Sequence, residues 1–234
     1  MSQNRKVIVE TKDLVKTYKL GGNIVNALRG VNLRVMKGEA VAIMGPSGSG
    51  KTTLLNVIGA LDTPTSGRVV IDGVDISRMS DKELTMIRRH KIGPIFQFYN
   101  LIPVLTAFEN VELPMIFARY PKTIRTKRTR RLLSVVGLGD RMDHRPDELS
   151  GGEQQRVAIA RALANNPSII LGDEVTGDLD TKTGQEIVKM LLRLSKEKRR
   201  TLIIVTHDPN VGAKMDRILR IMDGQIIEPK KLRD

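Results

Sequence analysis

The sequence predicts an α/β fold: a parallel sheet with an inserted α-helical subdomain. Three observations predict it. Strand-sized apolar runs alternate with helical periodicity, the pattern of strand–helix–strand units feeding a parallel sheet. A glycine-rich loop, Gly45-Pro46-Ser47-Gly48-Ser49-Gly50-Lys51-Thr52-Thr53, lies between the apolar run Val41–Met44 and the helix-like run Leu54–Ala60. A mostly helical block, from about Gln97 to Asn166, separates two strand-bearing blocks.

Composition narrows the class. With 234 residues the chain can bury a full core, as one domain or a core with a subdomain. It has no cysteine, which removes disulfides and thiolate metal sites and fits a reducing cytoplasm. Met1–Lys6 leads into no apolar segment long enough for a signal peptide, and runs such as Leu202–Val205 are far shorter than a bilayer span, so a soluble chain is expected. The net charge of +13 fits nucleic acid, an anionic membrane surface or solubility alone. At 3% aromatic residues there are few stacking platforms for single-stranded nucleic acid, which makes it the weaker partner.

Val7–Thr11 reads as a first strand, and Tyr18 follows just before the Gly21-Gly22 turn. Ala27–Val35 alternates as an outer strand that turns at Lys37-Gly38. After the glycine loop, Pro64–Gly67 is turn chemistry and Arg68–Gly73 is a short strand closed by Asp-Gly. Ser80 and Glu83 have capping-box spacing and open a helix to about His90, and Ile92–Phe96 returns to the sheet. In the helical block, Thr106 and Glu109 form another box, on a helix expected to be interrupted by Pro114. Further helices fit Thr126–Val136 and Ser150–Asn166. Strands resume at Ile169–Leu171, Thr201–Val205, Ile218–Met222 and Gln225–Ile227, with an amphipathic helix over Gln185–Lys198.

The loop carries the chemistry. In G-x-x-x-x-G-K-[ST] the glycines let backbone N–H groups curl around phosphate oxygens, and the following helix N-terminus adds partial positive charge. Lys51 would reach the β- and γ-phosphates and the Thr52 hydroxyl would hold Mg²⁺, so a nucleoside triphosphate is the expected ligand. A Gly/Ser-rich turn that happens to end in Lys-Thr is the bland alternative, and the strand and helix on its flanks argue against it. Such a site needs a carboxylate from the end of a neighbouring strand. Ile169–Leu171 leads to Asp173, a metal-side ligand, and to Glu174, placed to act as general base on water. An acidic turn after a strand is common, and the pairing with the loop lifts this one.

His207, one of three histidines, follows the buried run Leu202–Val205 and is read as a γ-phosphate contact, where a lone histidine is usually structural. Gln97 follows a strand and can ligate Mg²⁺ or orient water. Tyr18 can stack on a base or merely pack. Ser150, Gly151, Gly152 and Glu153 expose backbone amides at a capped helix start. They form either a well-capped helix or a second anion cradle for a phosphate held by another molecule.

These residues together resemble the ATP-binding subunit of an ABC transporter, over nearly the whole chain. Gly45–Thr53 matches Walker A, Gln97 the Q-loop, and Leu149–Gln154 the LSGGQ signature with Glu153 in its variable place. Ile169–Asp173 matches Walker B, Glu174 the catalytic glutamate, Gly177–Asp180 the D-loop, His207 the switch histidine and Tyr18 the aromatic that stacks on adenine. The resemblance implies a RecA-like P-loop NTPase core with an antiparallel β subdomain and an inserted α-helical subdomain, as a single ABC ATPase domain over 1–234. Residues 1–96 and 167–234 would form the nucleotide-binding core with its β subdomain, and about 97–166 the helical subdomain. It implies ATP and Mg²⁺ as cofactors, and two copies closing head to tail as an ATP-sandwiched homodimer. Asp180 and Ser150–Glu153 would face the partner's ATP, which accounts for the second cradle. It also implies a separate transmembrane permease as partner and a place on the cytoplasmic face of the membrane.

Phe96–Pro103 and Leu105–Val111 are similar to the lipoprotein-releasing, macrolide-exporter and cell-division ATPases. Two departures stand out: Val175 replaces the family's usual proline and can still extend the strand, and Pro94 stands where the group often has an aromatic. Arg119–Arg131 holds seven basic residues and no acid. It reads as a solvated helix face, as a contact for anionic lipid headgroups or, third, as a nucleic-acid patch. The rival function is a soluble ABC-type ATPase of DNA maintenance or cofactor assembly. Fewer than a hundred residues separate Thr53 from Leu149, without sustained heptads, which argues against the long coiled coil of DNA-maintenance relatives. A regulatory ATP switch with little turnover is the third reading, and Glu174 and His207 argue against it.

Overall fold

The computed structural model describes residues 6–227; residues 1–5, within the stretch read above for a signal segment, lie outside it. In chain order the elements are β1 Val7–Leu20, β2 Asn23–Met36, β3 Ala40–Met44, α1 Lys51–Ile58, β4 Ser66–Ile71, β5 Val74–Asp75, α2 Asp81–Lys91 and β6 Ile92–Ile95. Then come α3 Ala107–Phe117, α4 Lys122–Val135, α5 Gly151–Ala162, β7 Ile169–Asp173, α6 Thr181–Glu197, β8 Thr201–Val205, α7 Pro209–Gly212, β9 Arg217–Met222 and β10 Gln225–Ile227. They gather into two compact units: residues 6–86 with 203–227, and residues 87–202.

The first unit carries an antiparallel sheet of order β2-β1-β4-β5 and the strand order β10-β9-β3-β8, in which β3 and β9 run parallel. Val41, Ala42 and Ile43 of β3 are all fully buried, as expected of a parallel strand covered on both faces. Strand β1 continues well past Thr11, to Leu20, so Tyr18 sits within a long hairpin and not in a connecting segment. Register shifts around Asp13, which adopts a left-handed φ of 47°, absorb the polar stretch that masked this extension in the sequence.

In the second unit β6 and β7 pair in parallel, and α3, α4, α5 and α6 bury Val111, Met115, Leu133, Val157, Ile159 and Leu191. Pro94 lies on β6 opposite Leu171, and among the described residues β6 pairs only with β7, an edge placement that tolerates a missing N–H. Pro114 does not interrupt α3 as expected; the helix runs through it to Phe117. Proline removes one backbone donor and crowds the preceding turn, but its own carbonyl stays in use, accepting from Ala118 N at 3.1 Å and Asn165 Nδ2 at 3.2 Å. Buried Asn110 locks the segment before α3, donating to the carbonyls of Ile102, Leu105 and Thr106 and accepting from Ile102 N.

Val175 does not extend its strand. Strand β7 stops at Asp173 because Glu174 turns into the left-handed region at φ 46°, a conformation costing a side-chain-bearing residue about 1–2 kcal/mol. Helix α4 begins at Lys122, where Pro121 at φ −55° presets the first turn, ahead of the expected Thr126. Helix α6 begins at Thr181, capped by Asp180.

Candidate nucleotide site

Within the first unit the loop Gly45–Gly50 is held from outside by backbone. The Gly224 N–H donates to the Ser49 carbonyl at 3.0 Å, and Arg29 N donates to the Gly224 carbonyl at 2.8 Å. A side chain at Gly45 would put its Cβ 2.1 Å from the Ile221 carbonyl oxygen, and one at Gly50, at φ 100°, 2.5 Å from that of Ala27. Only glycine fits at either position. Gly50 caps α1 without a side-chain bond, so the first-turn amides of α1 receive no side-chain cap, and no acidic residue occupies that turn. Lys51, nine-tenths buried, folds its ammonium back onto the carbonyls of Gly45 (2.9 Å) and Pro46 (2.7 Å).

Among the described residues the buried Ser49 hydroxyl has no hydrogen-bond partner. An orphaned donor, helix amides without a side-chain cap and a lysine resting on loop carbonyls are what a polyphosphate would satisfy together. The donor set fits a nucleoside triphosphate. At the end of β8, Thr206 N donates to the Ile43 carbonyl at 3.1 Å, bringing exposed His207 next to the strand that feeds the loop. Tyr18 is also here: its ring is half-buried, and its hydroxyl engages Thr53 in the first turn of α1. The first unit thus gathers Tyr18, Gly45–Thr53 and His207.

The second unit gathers the rest. Gln97 packs its amide against the turn after Glu174; a Cβ on Gly177 would lie 3.2 Å from Gln97 Nε2. That turn closes through Gly177 N to the Glu174 carbonyl at 2.9 Å. Buried Gln155, on α5, donates to the Val175 carbonyl at 2.6 Å. Ser150 caps α5: its hydroxyl accepts from Glu153 N at 3.3 Å, and the Glu153 carboxylate accepts from Ser150 N and Oγ, each at 2.8 Å. Those Ser150 bonds, the backbone one first, hold the Glu153 carboxyl below its usual range, with Arg141 adding to the effect.

The two signature glycines are set by close approach. A Cβ at Gly151 would lie 3.0 Å from the Tyr99 hydroxyl, and one at Gly152 would lie 2.7 Å from the Thr183 methyl. Asp180 accepts from Lys182 N and Thr183 N, and with Asp178 it faces Ser150, Gly152, Glu153 and Arg156 across a cavity of about 540 Å³. Thr52 belongs to the first unit, whereas Asp173 and Gln97 belong to the second. Among the described residues no three His, Cys, Asp or Glu side chains cluster as a metal cage. Mg²⁺ does not demand one, since it binds through one or two protein oxygens together with phosphates and water.

Residues 28–177 match the family model described as ABC transporter. The chain belongs to the ABC transporter family. It is an ABC ATPase: it binds ATP and hydrolyses it. Its α/β architecture is that of the ABC cassette, a P-loop NTPase core with an antiparallel β subdomain and a helical insert. One similar solved structure is a dimeric, post-hydrolysis state of the ATP-binding cassette MJ0796, of Methanocaldococcus jannaschii, bound to ADP and Pi. It is 51% identical, with a TM-score of 0.88 over 97% of this chain and 100% of that one. The lipoprotein-releasing system ATP-binding protein LolD of Syntrophus aciditrophicus is 45% identical, over 94% of this chain and 99% of LolD. The macrolide export ATP-binding/permease protein MacB of Brucella melitensis is 49% identical over 97% of this chain, which spans 35% of MacB.

Gln155, Arg161 and Asp62 bear on this ABC cassette and were not singled out in the sequence. Arg161 donates its fork to the carbonyls of Tyr99 (2.6 Å) and Asn100 (2.5 Å), holding two consecutive left-handed residues just after Gln97. Burial lowers its pKa. An arginine in the last turn of the signature helix was the only available signal.

Proposed function

We propose that the chain works as a homodimer closing around two ATP molecules and driving a membrane-embedded permease from its cytoplasmic face. The observation that carries this is the presence of two anion cradles in one chain: Gly45–Thr53 at the start of α1, and Ser150–Glu153 at the start of α5. One triphosphate fills the first, and the second is then available to the triphosphate of another copy. In this reading Tyr18 stacks on the base, Gly45–Thr53 wraps the phosphates, and Ser150, Gly151, Gly152, Glu153 and Asp180 meet the partner's nucleotide. Thr52, Asp173 and Gln97 would hold Mg²⁺, which supplies charge neutralisation on the phosphates when bound. Glu174 takes the proton from the attacking water, Gln97 orients that water, and His207 donates to the γ-phosphate.

The names of LolD and MacB, and the MJ0796 dimer, support a dimer coupled to a permease. Among the described residues no helix is long and apolar enough to cross a membrane, and in this reading the permease provides the span. The exposed cations of the basic run would add contacts to anionic lipid. Glu174→Gln tests the core of the proposal. It should keep ATP binding, lose turnover and accumulate a dimer with ATP on size exclusion; undiminished turnover would remove Glu174 from the role of base.

A further inference from the structure

The loop that follows α1, outside every motif above, ends in a side chain that reaches back to the base-stacking candidate. Asp62 accepts from the Tyr18 hydroxyl at 2.7 Å through one carboxylate oxygen and from Lys16 Nζ at 2.5 Å through the other. Lys16 also donates to the Thr63 carbonyl at 2.8 Å, and its ammonium stands 4.9 Å from the centre of the Tyr18 ring. The Lys16 side chain is only 11% exposed and that of Asp62 26%, so the pair is shielded enough for its geometry to be held. Two bonds from Thr65 complete the frame: its hydroxyl accepts from Thr17 N at 2.9 Å, and its N–H donates to the Val15 carbonyl.

Each contact restricts the ring in a different way. The phenol bond fixes where the ring's far end lies, and the ammonium takes one face, so a planar ligand would stack on the other. A cation on one face also draws π density from the other, which favours an electron-rich purine there. The Thr53 contact ties the same phenol to the first turn of α1, at a set distance from the phosphate loop. Desolvation and Asp62 raise the Tyr18 pKa, consistent with a neutral phenol donor, and the Lys16 and Tyr18 bonds hold Asp62 ionised.

We infer that Asp62 is a positioning residue for nucleotide recognition: with Lys16 it sets the Tyr18 ring in the orientation that stacks on the base. It does not touch the nucleotide itself. The inference rests on the proposal that Tyr18 stacks on the base, and the experiment separates the two.

Asp62→Ala, Asp62→Asn and Tyr18→Ala are compared in the full chain by ATPase kinetics and by equilibrium binding of ATP and of inorganic tripolyphosphate, which has no base. Asp62→Ala should raise the KM for ATP about five- to tenfold, the scale of losing a base–aromatic stack, with kcat at saturation within about twofold. Asp62→Asn, which still accepts from the phenol, should recover part of that loss. Tripolyphosphate binding should be the same in all three variants and the native chain. If Tyr18→Ala weakens ATP binding and Asp62→Ala does not, the positioning role is overturned and stacking stands. Tyr18→Ala without effect overturns both. Equal losses for ATP and tripolyphosphate in Asp62→Ala would mean a disturbed phosphate loop, and would also overturn the inference.

Discussion

The side-chain amide of Gln155 donates to the carbonyl of Val175 at 2.6 Å, a fully buried link from the signature helix to the residue after Glu174. The turn it holds contains a left-handed Glu174, which needs support from its surroundings to persist. A proline at position 175 would stiffen this turn covalently. The Gln155 bond goes to the carbonyl, which a proline would also carry, so it holds this turn independently of the side chain at 175.

Gln155→Leu leaves the Val175 carbonyl buried without a donor. It should cost about 1–3 kcal/mol of stability, a Tm decrease on the order of several degrees for a chain of this size. Thermal melts measure this, and ATPase assays should show kcat falling more than KM rises. The companion Gln155→Glu has the same shape but only accepts, so it should be worse than Leu. A Leu variant as stable and as fast as the native chain would reduce this bond to incidental packing.

The Ser150–Glu153 cap predicts a pH dependence. Because the bonds from Ser150 depress the Glu153 pKa in the folded state, the cap's contribution is present above the ordinary value of 4.5 and is lost as pH falls through the lower folded value. Glu153→Gln keeps an acceptor but removes the charge. Its Tm should lie below that of the native chain at neutral pH, and the two curves should converge on acidification below 4.5. Parallel curves across that range would remove Glu153 as the titrating group.

The basic run divides into two groups. Arg128 donates to the carbonyls of Ala164 and Leu163 at the end of α5, Arg125 pairs with Glu112 at 3.0 Å, and Arg130 lies 5.8 Å from the Phe108 ring centre. Lys122, Lys127 and Arg131 are exposed. Arg128→Glu should therefore destabilise the chain by about 2 kcal/mol or more, through two lost charge-assisted bonds to helix carbonyls. The triple change of Lys122, Lys127 and Arg131 to Glu should leave Tm within about 2 °C, as surface substitutions do. The triple variant should bind phosphatidylserine–phosphatidylcholine vesicles less than the native chain, read by co-sedimentation at low salt. Equal binding would leave only a solvated face.

Contiguous motifs were legible because each is a local structure with its own chemistry. Strand, glycine loop and lysine-bearing helix follow one another without help from the rest of the chain, and the same is true of the Ser150–Glu153 cap. The order of Gln97, Ser150, Asp173, Glu174 and His207 was likewise readable, because each follows a strand or starts a helix; Asp180 came only from the family resemblance, since the helix it caps begins ahead of the expected Gln185. Neither an interrupted α3 nor a strand extended through Val175 occurs, because a proline in a helix and a left-handed turn are resolved by neighbours that periodicity does not name.

What the tertiary structure decided is which distant side chains hold those motifs in shape. Asp62 meets Tyr18 across 44 residues, Arg128 meets Ala164 across 36, and Gln155 meets the Val175 backbone across 20. None of these residues carries an unusual local pattern. A carboxylate after a helix, an arginine in a basic run and a second glutamine beside a first are chemically ordinary until folding fixes their partners. Local propensity and pattern act within a turn or a strand, and long-range pairing exists only once the core has closed.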